Sequence, residues 1–323
     1  MRSLLLILAA VTSAFAADLS KLRIHELAKP GVAVEVAQVP ALAAEAYASP
    51  HTAEMPNPVY RLSDIPFLGA DRKEKLDLYY PSGDFRPNRG AVVFIHGGGF
   101  TGGDKAEYRS ASVSADLCRA GYVVVSCNYR LGPMTQAGVW PQNIKDCRDA
   151  VRWVRAHAAE WGIDPDRIVA SGGSAGGHLA ACTAVIVDGD KASENATFSS
   201  VPNALVLFNP VLDTTAKGYG AKNFKAEQQT TLSPCHHVRP GLVPTIIFHG
   251  TADKTVPFEN AERFTRLMHA AGNTCVLVPF EGKDHGFFNG PFFRPSNDRA
   301  DYALTMKRTA EFLAAQGFLG AQR

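Results

Sequence analysis

The residues best suited to chemistry lie in Ser171-Gly172-Gly173-Ser174-Ala175-Gly176-Gly177, where a serine stands in the pattern Gly-x-Ser-x-Gly. A short apolar stretch at 167–170 precedes it and an apolar run at 178–187 follows. Those flanks read as a strand entering and a helix leaving. Ser174 then falls on a sharp turn, where only residues without side chains fit on either side. The helix aims its first N–H groups back at the serine, where nucleophilic attack would place negative charge. The chemistry such a turn serves is covalent acyl transfer through the hydroxyl.

A serine hydroxyl is a poor nucleophile at neutral pH, so a base must take its proton and an acid must hold that base in the right tautomer. The apolar segment 245–248 runs into His249-Gly250-Thr251-Ala252-Asp253, and 275–279 runs into Glu281-Gly282-Lys283-Asp284-His285-Gly286-Phe287. Among the ten histidines, His285 is the preferred base because it follows the last strand in a glycine-bounded loop. Asp253 is the preferred acid, with Asp284, Glu281 and Asp213 as competitors. Asp284 is adjacent to the histidine, and neighbouring residues rarely put one side chain behind the other's ring. His96 reads as a brace for a glycine turn, His157 and His178 fall on helices, and His236-His237 reads as loop surface without further ligands at metal-site spacing. One more segment belongs with these: the apolar stretch 91–95 ends in His96-Gly97-Gly98-Gly99, then Phe100. Three glycines in a row present backbone N–H groups unobstructed, which an oxyanion requires.

Holding these segments together requires a particular set of elements. Apolar runs at 75–80, 91–95, 123–127, 167–170, 204–208, 245–248 and 275–279 read as strands, several without the alternation of a half-exposed sheet. Between them, Ile144, Cys147, Val151, Val154, Ala158 and Trp161 step by three and four and share a helix face, as do Ala261, Phe264, Met268 and Ala271. Alternation of this kind predicts an α/β architecture, a mostly parallel sheet with helices on both faces and a small insertion, 213–241, before the strand leading to Asp253. In such sheets ligands bind beyond the carboxyl ends of the strands, where each segment above lies.

The N-terminus has a basic start, an apolar run and Ala14-Phe15-Ala16, the pattern of a secretory signal peptide cleaved near Ala16. Residues 17–58 read as an N-terminal arm with three prolines between Pro50 and Pro58, able to reach over the site, and 59–323 as one catalytic domain. A secreted or periplasmic location follows, without membrane insertion after processing. The net charge of +2 and the absence of like-charge blocks argue against nucleic acid as a partner. Six cysteines would meet oxidising conditions after export, but no spacing assigns bridges; for Cys127 and Cys182 a buried thiol is the plainer reading.

Taken together, the segments from Val92 through Asn128-Tyr129-Arg130-Leu131, the serine turn, 249–257 and 284–287 resemble an α/β-hydrolase of the esterase group related to hormone-sensitive lipase. The resemblance is closest to bacterial feruloyl and acetyl-xylan esterases that carry Gly-Gly-Ser-Ala-Gly-Gly-His, and the order Ser174, Asp253, His285 is that of the fold. Gly173 stands where the lipase branch usually has an acidic residue, and the acid sits in Gly-Thr-Ala-Asp; both argue against lipid substrates. The resemblance implies an oxyanion hole from the N–H groups of Gly98, Gly99 and Ala175, a serine carboxylesterase activity, and no metal or organic cofactor. Its substrate would be a small ester or acylated oligosaccharide of plant origin. Phe100, Trp140 and Phe287, with Phe288, border the expected site and are candidates for lining a substrate pocket, core packing being the alternative for each. The insertion has few large apolar residues, so short acyl chains are expected. A serine peptidase of prolyl-oligopeptidase type would need a gating domain for which the chain has no room, and a non-catalytic binding protein on this scaffold typically loses a triad member.

Overall fold

The computed structural model describes residues 59–81, 88–186, 197–220, 223–292 and 297–318. The leader and arm expected over 1–58 lie outside these residues. Among these residues eight strands form one sheet in the order β1-β2-β4-β3-β5-β6-β7-β8. They are β1 (Val59–Ile65), β2 (Leu76–Pro81), β3 (Arg89–Ile95), β4 (Val123–Cys127), β5 (Ile163–Gly173), β6 (Ala204–Phe208), β7 (Thr245–Gly250) and β8 (Cys275–Phe280). The β1–β2 and β2–β4 pairs are antiparallel and all others parallel.

Side-chain alternation explains why apolar runs suit this sheet. In β3, Ala91, Val93 and Ile95 enter one core and Val92 and Phe94 the other, so both faces must be covered. Helices α2 (Gln142–Ala156), α3 (Ala175–Val185) and α5 (Glu259–Ala270) cover the first. Helices α1 (Tyr108–Arg119) and α6 (Arg299–Ala315) cover the second with Val113, Leu117, Tyr302, Phe312 and Leu313. Each fully buried side chain of this size contributes about 1.5–3 kcal/mol, and an open face on a strand like β3 would forfeit several such terms. The short α4 (Ala226–Thr231) sits in the insertion between β6 and β7.

Three features depart from expectation. Helix α2 ends at Ala156, so Ala158 and Trp161 pack from the turn beyond it. Strand β5 begins four residues before the apolar stretch expected at 167–170, because Ile163 pairs with Arg89 ahead of Asp164-Pro165-Asp166. Strand β1 carries no apolar run: Val59, Leu62 and Ile65 are buried, while Arg61 extends to Asp77 of β2 at 2.5 Å. All six cysteines are buried free thiols.

Candidate active site

The turn from β5 into α3 is tightly constrained. Ser174 sits at φ 56°, ψ −118°, a conformation that non-glycine residues seldom hold unless packing enforces it. The enforcement is visible at Gly176, where a Cβ would come 2.1 Å from the Ile95 carbonyl oxygen of the neighbouring strand. Ser174 N–H donates to the Phe208 carbonyl at 2.9 Å, pinning the turn to β6.

The ends of β7 and β8 bring the other two residues to the serine. His285 Nε2 lies 2.9 Å from Ser174 Oγ, and His285 Nδ1–H donates to Asp253 Oδ2 at 2.7 Å. Asp253 Oδ1 accepts from the N–H groups of Thr255 and Val256, each at 2.8 Å. Burial alone would raise its pKa, but the hydrogen bonds from His249, His285 and the Val256 N–H outweigh burial and hold the carboxyl well below the ordinary carboxylate range. The competing acids are elsewhere: Asp284 and Glu281 are exposed, and Asp213 pairs with Arg263.

Two polar residues that sequence reasoning did not single out support this relay. His249, buried at the end of β7, places Nε2 3.2 Å from Asp253 Oδ2 and 2.9 Å from the Val256 carbonyl. Asn209 follows β6 in a left-handed conformation, φ 35°. Its Oδ1 accepts the Gly286 N–H at 3.3 Å, and its Nδ2 stands 3.5 Å from His285 Nε2. The strand-end rule would have found Asn209 had it been applied to β6.

The glycine triplet follows β3. Gly98, at φ 120°, takes the Thr101 and Gly102 N–H groups on its carbonyl, and a Cβ there would meet the Gly102 oxygen at 2.2 Å. Asp104 anchors the loop to Asn128 at the end of β4, 2.7 Å away, and His96 Nδ1–H donates to the Gly97 carbonyl at 2.7 Å. Gly98 and Gly99 line a cavity of about 230 Å³ that also holds Ser174 and His285. Ala175, the first residue of α3, has an N–H with no acceptor inside the helix.

The aromatic residues expected in the pocket are displaced from it. Phe100 packs edge-on against His178 and Phe224, Phe287 packs at a tilt against Phe280 in the second core, and Trp140 packs against the first core. None of the three lines the cavity. Phe100 follows the glycine turn with φ 67°, which directs it under the loop. The wall is built instead by Phe288 and Tyr219 together with polar groups, among them Arg109, Ser110, Asn209, Thr255 and Asn289. A wider hollow of about 500 Å³ beside β1 contains none of the relay; its Arg61, Asp64 and Lys105 are held in ion pairs.

A family model described as BD-FAE matches residues 76–268. Among curated proteins, the probable carboxylic ester hydrolase LipM of Mycobacterium tuberculosis is 29% identical over 73% of this chain and 60% of its own. The probable isoprenylcysteine alpha-carbonyl methylesterase ICMEL1 of Arabidopsis thaliana is 28% identical over 67% of this chain. The chain spans about half of ICMEL1, 49%, and somewhat more of LipM. Among solved structures, esterase 2 of Thermogutta terrifontis superposes with a TM-score of 0.68 at 41% identity, covering 83% of this chain and 98% of that one. That esterase has also been solved with propionate bound, at 40% identity. With the family model matching more than half of its length and the Thermogutta enzyme aligned over nearly all of its own, the chain belongs to the BD-FAE family of α/β-hydrolase-fold esterases.

Proposed function

We propose that this protein is a serine carboxylesterase that hydrolyses short-chain acyl esters through an acyl-enzyme on Ser174. The observation that carries the reading is the unbroken relay Ser174 Oγ, His285, Asp253, with contacts of 2.9 and 2.7 Å, opening on a cavity of about 230 Å³. His285 takes the hydroxyl proton as Ser174 Oγ attacks the carbonyl carbon. The oxyanion is held by the N–H groups of Gly98, Gly99 and Ala175, each such donor being worth about 3 kcal/mol in the transition state. The alcohol leaves with the proton from His285. Water then gives a proton to His285 as it attacks the acyl carbon, and the tetrahedral intermediate collapses to the free acid as Ser174 Oγ leaves with that proton. Asp253, kept ionised by its donors, stabilises the imidazolium in both halves.

The cavity lies below the roughly 300 Å³ at which sites for drug-sized ligands begin, which favours acetyl to butyryl groups over feruloyl or long acyl chains. With the leader pattern at residues 1–16, it points to an exported enzyme that removes small acyl groups from oligosaccharides of plant material. A panel of nitrophenyl esters from acetyl to decanoyl, run beside acetylated xylan and methyl ferulate, tests the substrate; kcat/KM is expected to peak between acetyl and butyryl and to fall by octanoyl. Ser174→Ala should lose all turnover and all labelling by a fluorophosphonate while keeping the wild-type melting temperature. Residual turnover in that variant would remove the serine from its role.

A further inference from the structure

We propose that the first turn of α1 is an anion-binding subsite of the catalytic cavity, and that the preferred substrates are acylated hydroxy acids carrying a carboxylate on the alcohol side of the ester. The proposal rests on the esterase reading above and specifies its substrate class.

The charge on the cavity wall is one-sided. Among the described residues that line it, Arg109 is the one permanently charged side chain, and no carboxylate reaches the wall. Ser110 lines the cavity beside it and is 2% exposed, yet neither its N–H nor its Oγ has a hydrogen-bond partner among the described residues. Its Oγ is not among the sealed, unpartnered polar atoms of the core, so it opens onto the cavity, where a ligand oxygen can accept its hydrogen bond. Both residues belong to the first turn of a 12-residue helix that has no side-chain cap and no acidic residue in that turn. First-turn N–H groups lack intrahelical acceptors and carry the positive end of the helix dipole. A guanidinium, a hydroxyl and a helix N-terminus thus converge within the cavity that holds Ser174.

A counter-charge is nearby. Glu107 accepts from Arg109 Nε at 2.7 Å, with the two side chains 34% and 27% exposed. A pair so open to water is weak, and a guanidinium has five N–H donors, enough for a second carboxylate. Arg109, 27% exposed, stands with Gly99 and Thr255 where the cavity opens to solvent, so the carboxylate belongs to the part of the substrate that faces solvent while the short acyl group fills the interior. That part is the alcohol. Acylated uronic acid units of an oligosaccharide have this chemistry, as do simpler O-acyl hydroxy acids.

The test compares two isosteric acetyl esters, 3-acetoxybenzoate and 3-acetoxybenzamide, on the purified protein. The acid is expected to be preferred in kcat/KM by roughly 10-fold or more, the worth of one hydrogen bond to a charged group. In Arg109→Met that ratio should fall to about 1, in Ser110→Ala it should fall part of the way, and 0.5 M sodium chloride should depress it in the wild type. As a readout independent of turnover, 3-hydroxybenzoate should raise the melting temperature of the wild type more than 3-hydroxybenzamide does. A wild-type ratio of 1 or below, equal stabilisation by the two phenols, or a ratio that survives Arg109→Met overturns the subsite. If Arg109→Met does not fold, the wild-type ratio and its salt dependence decide. Cleavage of the amide ester with no preference for the acid defeats the subsite and leaves the esterase reading intact. Failure of both esters together with unlabelled Ser174 defeats the esterase reading, and the melting measurements still judge the subsite.

Discussion

Lowering the pH should destabilise this fold through a histidine that takes no part in the relay. His178 lies on α3 one turn after Ser174, fully buried, with Nδ1–H donating to the Val211 carbonyl at 2.9 Å and the Cys182 thiol 3.4 Å from Nε2. Phe100 and Phe224 close around the ring, and burial pushes the neighbouring Cys182 thiol up to about 12, so it carries no charge to help an imidazolium. Burial lowers the pKa of His178 from 6.5 to about 4, the hydrogen bond to Val211 opposing only in part. The sign follows from linkage. Below 6.5 the unfolded chain binds a proton there that the folded chain refuses, so the contribution of His178 to stability is whole above that pH and is lost as pH falls towards 4. Between pH 7.5 and 4.5 the loss comes to about 2.5 kcal/mol. Urea unfolding followed by tryptophan fluorescence, in wild type and His178→Gln at both pH values, isolates it. His96 is buried and depressed in the same direction, but it is common to both proteins and cancels. The wild type should lose about 2.5 kcal/mol more than the variant on acidification, with unchanged slopes in urea. Equal losses within about 0.5 kcal/mol would refute the reasoning, as would an NMR titration of His178 near 6.5 in the folded state.

Other perturbations probe the relay and its supports. Asp253→Asn should lower kcat by about 10⁴, because the amide favours the wrong tautomer of His285, whereas Asp284→Asn, on an exposed side chain, should change it by less than about threefold; reversed effects would reassign the acid. Gly98→Ala puts a Cβ 2.2 Å from the Gly102 oxygen at φ 120°, and the displaced N–H should reduce kcat by about 100-fold in steady-state assays. Asn209→Ala removes the acceptor for the Gly286 N–H, so kcat should drop about 10-fold with KM little altered; a change confined to KM would show that Asn209 binds substrate instead of steadying His285.

Much of the site was readable before folding because its determinants are local. Gly172 and Gly176 flank Ser174 for a steric reason that any strand-to-helix turn imposes, and Gly98 is a glycine because its own backbone demands one. Apolar runs such as 91–95 and 204–208 announced buried strands by composition alone. Strand β1 escaped notice since its polar positions are satisfied by partners distant in sequence, Arg61 by Asp77 across the sheet. Helix α1 escaped for a related reason: Ser110, Ser112 and Ser114 are buried despite their polarity, so serines interrupt the apolar stripe of its inner face.

What sequence alone determined was therefore strands β2 to β8 and helices α2, α3 and α5, the strained serine turn, and the short list of histidines and carboxylates that could serve it. Each follows from sterics or hydrophobicity within a few residues. Tertiary structure decided which carboxylate stands behind His285, since Asp253 and Asp284 differ only in where β7 and β8 deliver them. It also decided which aromatics face the cavity. Phe100, Trp140 and Phe287 are close in sequence to the site segments and still turn away from it, while Tyr219 and Arg109 reach it from an insertion and a helix start. The wall of a cavity is made by side chains converging from several elements, and their directions depend on packing across the whole sheet, which no local pattern encodes.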